Sequence, residues 1–164
     1  MNGQIYLDIL KKRLEYYYDS KSLPEKPQFI YAAELNAADE GYFIIPNLKT
    51  YSVQHNEYLY IQIISEPMTL KTIQPYLDFT KEKMATLKTT TEHMSSIFSL
   101  VFICESGIAS EDINKLIQIK QHKDYCFTPK GWSDLALYFM DIPSNKLYYN
   151  KIAHKNKELF MISE

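Results

Sequence analysis

The chain has 164 residues, of which 46% are apolar and 23% charged, and its formal net charge is −2. This composition is that of a folded globular chain rather than a disordered one, and the length suits a single domain. Arg13 is the only arginine, so the bidentate phosphate and guanine contacts typical of nucleic-acid binders are scarce. We therefore expect one domain over residues 1–164 and disfavour nucleic acid as a partner.

The sequence predicts a cytoplasmic location. The N-terminal segment mixes charged and apolar residues and lacks the order of a secretion signal. The longest strongly apolar run, residues 97–104, is too short to cross a bilayer. Cys104 and Cys126 are not in a Cys-x-x-Cys spacing, and both lie in apolar surroundings, which indicates buried free thiols.

The first half of the chain predicts one helix followed by a run of strands. Leu7, Leu10 and Leu14 recur with helical spacing, which indicates an amphipathic helix over residues 5–18. From Gln28 the apolar residues alternate with a period of two, as in a half-buried strand. We predict strands at 28–35, 42–46, 51–54 and 58–64, with turns at 36–41 and 55–57.

The second half alternates helices and strands. Pro75 fits best in a first turn, so the second helix is predicted to begin at 71–74 and to end before Thr89. Residues 97–104 are apolar at nearly every position, which is typical of a central strand covered on both faces. A helix over 110–120 follows, and the last predicted strands are 125–128, 135–140 and 147–152.

The fold class is therefore α+β. We expect about three helices and a mixed, mainly antiparallel sheet, in the order α-β-β-β(-β)-α-β-α-β-β(-β). No internal repeat or long linker interrupts this order.

One cluster has the side chains of an acid/base site. His93 lies between Glu92 and two serines just before the central strand, and Glu105 follows that strand. A small enzyme could use His93 as acid/base with Glu105 and Asp134 as carboxylate partners, in a pocket at the carboxyl edge of the strand. Sequence adjacency does not establish catalytic geometry, and capping and surface roles explain the same residues. Catalysis is the less supported alternative.

The sequence predicts neither a cofactor nor a metal site. No glycine-rich phosphate loop of known spacing is present. The residues with metal-binding side chains show no recurring ligand spacing; they are His93, Glu105, His122, Cys126 and Asp134.

Two regions are candidates for binding. Trp132, the only tryptophan, could form an aromatic platform beside Lys130, although such a residue more often closes the end of a core. Tyr148 and Tyr149 lie among lysines in a predicted C-terminal hairpin, which could bind single-stranded nucleic acid or simply form a solvated edge. With 14 tyrosines in the chain, the best supported function is a non-enzymatic binding or protein-interaction domain, which could be homo-oligomeric.

The element order also resembles that of restriction-endonuclease-like nucleases. Those enzymes place an acidic residue and an Asp/Glu-x-Lys motif on the central hairpin. Here Glu57 falls in the predicted turn with no lysine two residues later, and Asp19-Ser20-Lys21 lies in a predicted loop. The resemblance therefore implies a catalytically dead, nucleic-acid-binding relative.

Several short motifs together resemble a family of cytosolic, single-domain proteins of unknown function from clostridia-type Gram-positive bacteria. This resemblance implies a bacterial, cytosolic protein and transfers no catalytic residue. The motifs are residues 6–14, 92–95, 130–134 and 149–151.

Overall fold

The computed structural model of the protein describes residues 1–36, 54–88, 93–125 and 131–162. These residues form four α-helices, α1 (Gly3–Leu14), α2 (Leu70–Thr86), α3 (Ile113–Leu116) and α4 (Lys157–Phe160), the last preceded by a 3-10 helix over Ile152–Asn156. Its seven strands are β1 (Asp19–Ser20), β2 (Tyr31–Asn36), β3 (Gln54–Ile64), β4 (His93–Cys104), β5 (His122–Asp124), β6 (Trp132–Asp141) and β7 (Lys146–Tyr149).

The seven strands form one mixed sheet in the order β1-β2-β3-β4-β6-β5, and β7 also pairs with β6. Four strand pairs are antiparallel, and the two central pairs, β3 with β4 and β4 with β6, are parallel. Each parallel pair needs a crossover connection, which α2 and the α3 region supply. The predicted α+β class and element order are confirmed.

Side chains alternate between two hydrophobic clusters, one on each face of the sheet. On the first face α1 packs through Leu7, Leu10 and Leu14 against strand residues such as Leu59 and Val101. We call this the α1 face. On the opposite α2 face, Ile73 and Phe79 of α2 join Phe29, Phe98 and Phe102. Because β4 is covered on both faces and paired along both edges, the prediction of a central strand at 97–104 is confirmed.

Side-chain caps fix where the two long helices begin. Asn2 Oδ1 accepts a hydrogen bond of 2.9 Å from the Ile5 amide at the start of α1, and Thr69 Oγ1 accepts one of 3.1 Å from the Thr72 amide at the start of α2. Since α2 begins at Leu70, Pro75 falls in its second turn and removes one backbone hydrogen bond there.

The predicted turn at 55–57 is wrong, because β3 runs unbroken through these residues. The amide and carbonyl groups of this stretch pair with β2 on one side and β4 on the other, so Glu57 points into the core instead of out of a turn. The predicted strands 42–46 and 51–53 and most of 125–128 lie outside the described residues. The predicted helix 110–120 shortens to α3, and the last strand ends at Tyr149.

A buried asparagine completes the outer edge of β6. This edge pairs with β5 near Trp132–Asp134 and with β7 near Tyr138–Asp141, which leaves a gap between them. The Asn150 side chain fills it: Oδ1 accepts from the Leu137 amide at 3.0 Å, and Nδ2 donates to the Leu135 carbonyl at 2.9 Å. Asn150 also accepts from the Ala153 amide and donates to the Ile119 carbonyl. Its side chain therefore joins β6 to the segment after α3 and to the 3-10 helix.

Candidate functional site

The three predicted catalytic residues do not meet. His93 is the first residue of the 12-residue strand β4, and Glu105 follows its last residue, so their backbones lie roughly 35–40 Å apart at the usual rise per strand residue. Asp134 pairs with Ile97, near the His93 end of the sheet. Glu92, from the same predicted cluster, lies outside the described residues.

Glu105 lies instead beside the start of α1, far from His93. A Cβ added to Gly3 would lie 2.8 Å from the Glu105 Oε1 atom, so this carboxylate sits against the first turn of α1. Negative charge at a helix N-terminus is favourable because it meets the positive end of the helix dipole. This contact gives Glu105 a structural role that does not require catalysis.

The histidine that meets Asp134 is His122. Its Nδ1 lies 2.7 Å from Asp134 Oδ1, and its Nε2 lies 3.0 Å from Asp124 Oδ1. The hydrogen bond with Asp134 and, after it, the one with Asp124 raise the pKa of His122 above its ordinary value. Both ring nitrogens face carboxylates, so neither is free to take a proton from a substrate. The hydrogen bond between His122 and Asp134 links β5 to β6, and Asp124 holds the other side of the imidazole ring.

The two predicted binding regions behave differently. Trp132 is 39% exposed at the start of β6 and therefore does not close the core, and Lys130 lies outside the described residues. In β7, Tyr148 packs against the cluster of the α2 face and Tyr149 against that of the α1 face. Because their rings point to opposite faces, the hairpin offers no continuous surface on which bases could stack.

Glu57 is a buried carboxylate enclosed by the α1 face. Ser99 Oγ donates a hydrogen bond of 3.0 Å to Glu57 Oε1, and the Tyr18 hydroxyl makes a second hydrogen bond to this side chain. Burial raises the pKa of Glu57 above its ordinary value of 4.5, against the opposing effect of the two hydrogen bonds. Leu59 stands two residues later, so the nuclease-type lysine is absent from this strand.

A cavity of about 360 Å³ opens on the α2 face, between β2, β3 and the end of α2. Three lysines from two parts of the chain line it: Lys21 follows β1, Lys83 lies in the last turn of α2, and Lys88 follows that helix. Ala32, Ala33, Tyr58, Tyr60, Leu87 and Phe98 supply most of the remaining wall. We call this the lysine cavity.

The charge in the lysine cavity is strongly unbalanced. Glu34 is the only acidic residue among the described residues that line it, and it lies 4.0 Å from Lys21 Nζ. Lys83 Nζ lies 5.5 Å from the centre of the Phe79 ring, which offers only a weak cation–π contact. Two of the three ammonium groups thus have no carboxylate partner within the described chain.

Besides the lysines, Tyr58 and Tyr60 line the cavity, and each carries a hydroxyl group that can donate a hydrogen bond. Burial raises the pKa of Tyr60 to about 12 and also raises that of Tyr58, so both phenols keep their protons at physiological pH. Tyr58 is held in place by stacking on Phe98, with ring centres 4.9 Å apart and an angle of 21° between the planes. Ammonium groups and neutral O–H donors around one space favour a negatively charged ligand.

The sequence did not predict the lysine cavity because Lys21 is far along the chain from Lys83 and Lys88. The one local signal was Tyr58 and Tyr60, which are two apart and therefore share a face of β3. No spacing rule connects Lys21 to Lys83.

Among the described residues, no cluster of three or more His, Cys, Asp or Glu side chains could hold a metal ion. No helix within the described ranges is both long and apolar enough to cross a membrane.

Comparison with known proteins identifies the family. No curated protein and no solved structure matches the chain significantly. The family described as "Domain of unknown function (DUF8052)" matches residues 2–162, nearly the whole of the fold described above. The chain belongs to this DUF8052 family.

Proposed function

We propose that this protein is a non-enzymatic binding domain that holds a negatively charged ligand in the lysine cavity. The observation that carries the proposal is the convergence of Lys21, Lys83 and Lys88 on one space of about 360 Å³. Ligand sites in proteins fall in the range of roughly 300–1,000 Å³ and combine apolar walls with a few polar groups. The lysine cavity has both properties.

Electrostatics favours an anion there. Three ammonium groups around one cavity repel one another, and a bound anion replaces that repulsion with attraction. Each lysine is exposed, so a single contact is worth little, on the order of 0.2–1 kcal/mol for a surface pair. The affinity then depends on all three lysines together and falls as salt is added.

Binding fits the cavity better than catalysis. The described lining residues include no histidine or cysteine, the side chains that most often act as acid/base or nucleophile. The Thr86 hydroxyl already donates a hydrogen bond of 2.9 Å to the Glu82 carbonyl. The acid/base alternative with His93, Glu105 and Asp134 needs a convergence that the β4 register does not provide.

We further propose a cellular setting for this function. The motif resemblance favours a single-domain cytoplasmic protein of clostridia-type Gram-positive bacteria, and the buried free thiol of Cys104 suits a reducing compartment.

Tyr16, which is 86% exposed, offers a contact for a second copy of the chain or for a protein partner.

Calorimetric titration with inorganic pyrophosphate tests the proposed function. The wild type is expected to bind saturably, and K83A/K88A to bind about 2- to 30-fold more weakly, which corresponds to the loss of two exposed lysine contacts. The matched control is K115A/K155A, which removes two exposed lysines outside the cavity and should bind like the wild type. Absence of saturable binding, or equal weakening in both double variants, would overturn the proposal.

A further inference from the structure

We propose that the natural ligand is an acidic peptide segment of a partner protein, bound in an extended form along a groove that includes the lysine cavity. This inference rests on the proposed function. Three observations carry it: a second cavity, an unpaired stretch of backbone, and the order of charges along the groove.

A second cavity of about 330 Å³ adjoins the first. The two share Lys83 and Thr86 in their linings, so they meet at the last turns of α2. Pro24, Glu25 and Lys26 form the other wall of the second cavity, just as Ser22 does for the first. The two cavities therefore form one groove between α2 and the segment 22–29, which we call the strap.

The backbone of the strap is available to a ligand. At its ends the Lys21 amide donates to the Ala32 carbonyl and the Ile30 amide donates to the Ile61 carbonyl. Between them, no backbone hydrogen bond joins residues 22–29 to any other described segment. Pro24 and Pro27 have no amide hydrogen, so an extended peptide would pair with the strap mainly by donating its own amides to the strap's carbonyls. A small anion makes no use of these acceptors.

The charges change along the groove. The lysine cavity holds three lysines and one glutamate, whereas the second cavity places Glu25 and Glu82 beside Lys26 and Lys83. A ligand with acidic groups at one end and a basic group at the other matches this order. Phe79 and Pro24 give the second cavity an apolar contact for the aliphatic part of a basic side chain.

The test uses a fluorescein-labelled peptide of three glutamates, two glycines and two lysines, measured by fluorescence anisotropy on the full chain. Wild-type protein is expected to bind it and to release it when unlabelled pyrophosphate is added. K83A/K88A should weaken binding about 2- to 30-fold. E25Q/E82Q should weaken this peptide about threefold or more, yet leave a peptide of six glutamates unaffected or bound more tightly, because only the first peptide has lysines to meet Glu25 and Glu82.

Three results overturn the inference. Saturable binding of pyrophosphate without peptide binding means that the site takes small anions only, and the proposed function then stands alone. Tighter binding of a six-nucleotide single-stranded DNA than of either peptide, lost in K83A/K88A, identifies nucleic acid as the ligand. Binding of neither pyrophosphate nor peptide removes both the inference and the proposed function.

Discussion

The C-terminal hairpin and the lysine cavity both combine lysines with tyrosines, but the two regions arrange them differently. In the C-terminal hairpin, Lys146 Nζ lies 4.9 Å from the centre of the Tyr148 ring, and Lys157 Nζ lies 5.5 Å from that of Tyr149. The two rings pack on opposite faces of the sheet. In the lysine cavity, three lysines from two distant segments line the same space.

The difference shows that composition alone does not create a binding site. Neighbours in a strand point to opposite faces, so the adjacent tyrosines of the hairpin are separated by the sheet itself. Their lysines already lie over the rings and contribute to local packing. Residues that are far apart in the chain can converge only through the tertiary fold, as Lys21 and Lys83 do.

The largest effect on stability is expected at the hairpin end of the molecule. N150A should lower the free energy of unfolding by about 3 kcal/mol or more, because it leaves buried amide and carbonyl groups of Leu135, Leu137 and Ile119 without their partner. Urea denaturation measures this. N114A, at an exposed position of α3, is the matched control and should cost little. A loss below about 1 kcal/mol in N150A would show that water replaces the side chain.

The next effect concerns the buried carboxylate on the α1 face. E57A should lower the free energy of unfolding by about 2 kcal/mol, because the Tyr18 and Ser99 hydroxyls lose their acceptor inside the core. The lysine cavity lies on the other face, so pyrophosphate affinity should not change in E57A.

Glu57 also gives a pH dependence of known sign. Since its pKa is raised above 4.5 in the folded protein, the folded state holds the proton more tightly than the unfolded state, and stability is lost as pH rises from about 4.5 through the raised value. In E57Q this decrease should disappear. Urea denaturation at a series of pH values compares the two proteins, and parallel curves would contradict the assignment.

A smaller pH effect is expected at His122. Its raised pKa means that the stabilisation by Asp134 and Asp124 is fully present below about pH 6.5, the ordinary value, and is lost as pH rises through the raised value. The side chain is 38% exposed, so solvent screening should keep the effect below about 1 kcal/mol. H122Q and D134N should both lose this pH dependence of the free energy of unfolding. If either variant kept the pH dependence of the wild type, the hydrogen bond between His122 and Asp134 would not be formed.

The smallest stability effect is expected inside the lysine cavity. K88A should change the free energy of unfolding by less than about 0.5 kcal/mol, because Lys88 is exposed and its removal also relieves repulsion between like charges. The same variant should bind pyrophosphate more weakly. K157A in the hairpin is the counterpart: it should lose a fraction of a kcal/mol from the contact with Tyr149 and keep its affinity. If K157A weakened pyrophosphate binding and K88A did not, the binding site would lie in the hairpin.

Local patterns were sufficient to predict the fold class and the order of the elements. Helical spacing at Leu7, Leu10 and Leu14 and the apolar run 97–104 each follow from rules that act over a few residues, and the structure confirms both elements. The turn predicted at 55–57 was wrong because a polar sequence within a strand resembles a turn when its neighbours are unknown. Glu57 is buried only because Tyr18 and Ser99 meet it from other segments.

The candidate site could not be predicted in the same way. The sequence placed Asp134 with His93, whereas β5 brings His122 opposite Asp134, a pairing that depends on the register of an edge strand. The sequence likewise favoured the lysines that are neighbours in the hairpin over those that meet in space. In both cases the missing information is long-range contact, which a single sequence does not contain.

The most direct test of the lysine cavity is a pyrophosphate titration of ¹⁵N-labelled protein followed by ¹H–¹⁵N correlation spectra. The largest chemical-shift changes are expected at the amides of Lys21, Tyr58 and residues 83–88, with little change at residues 146–157. Changes centred on residues 146–157, with none around Lys83, would contradict the account.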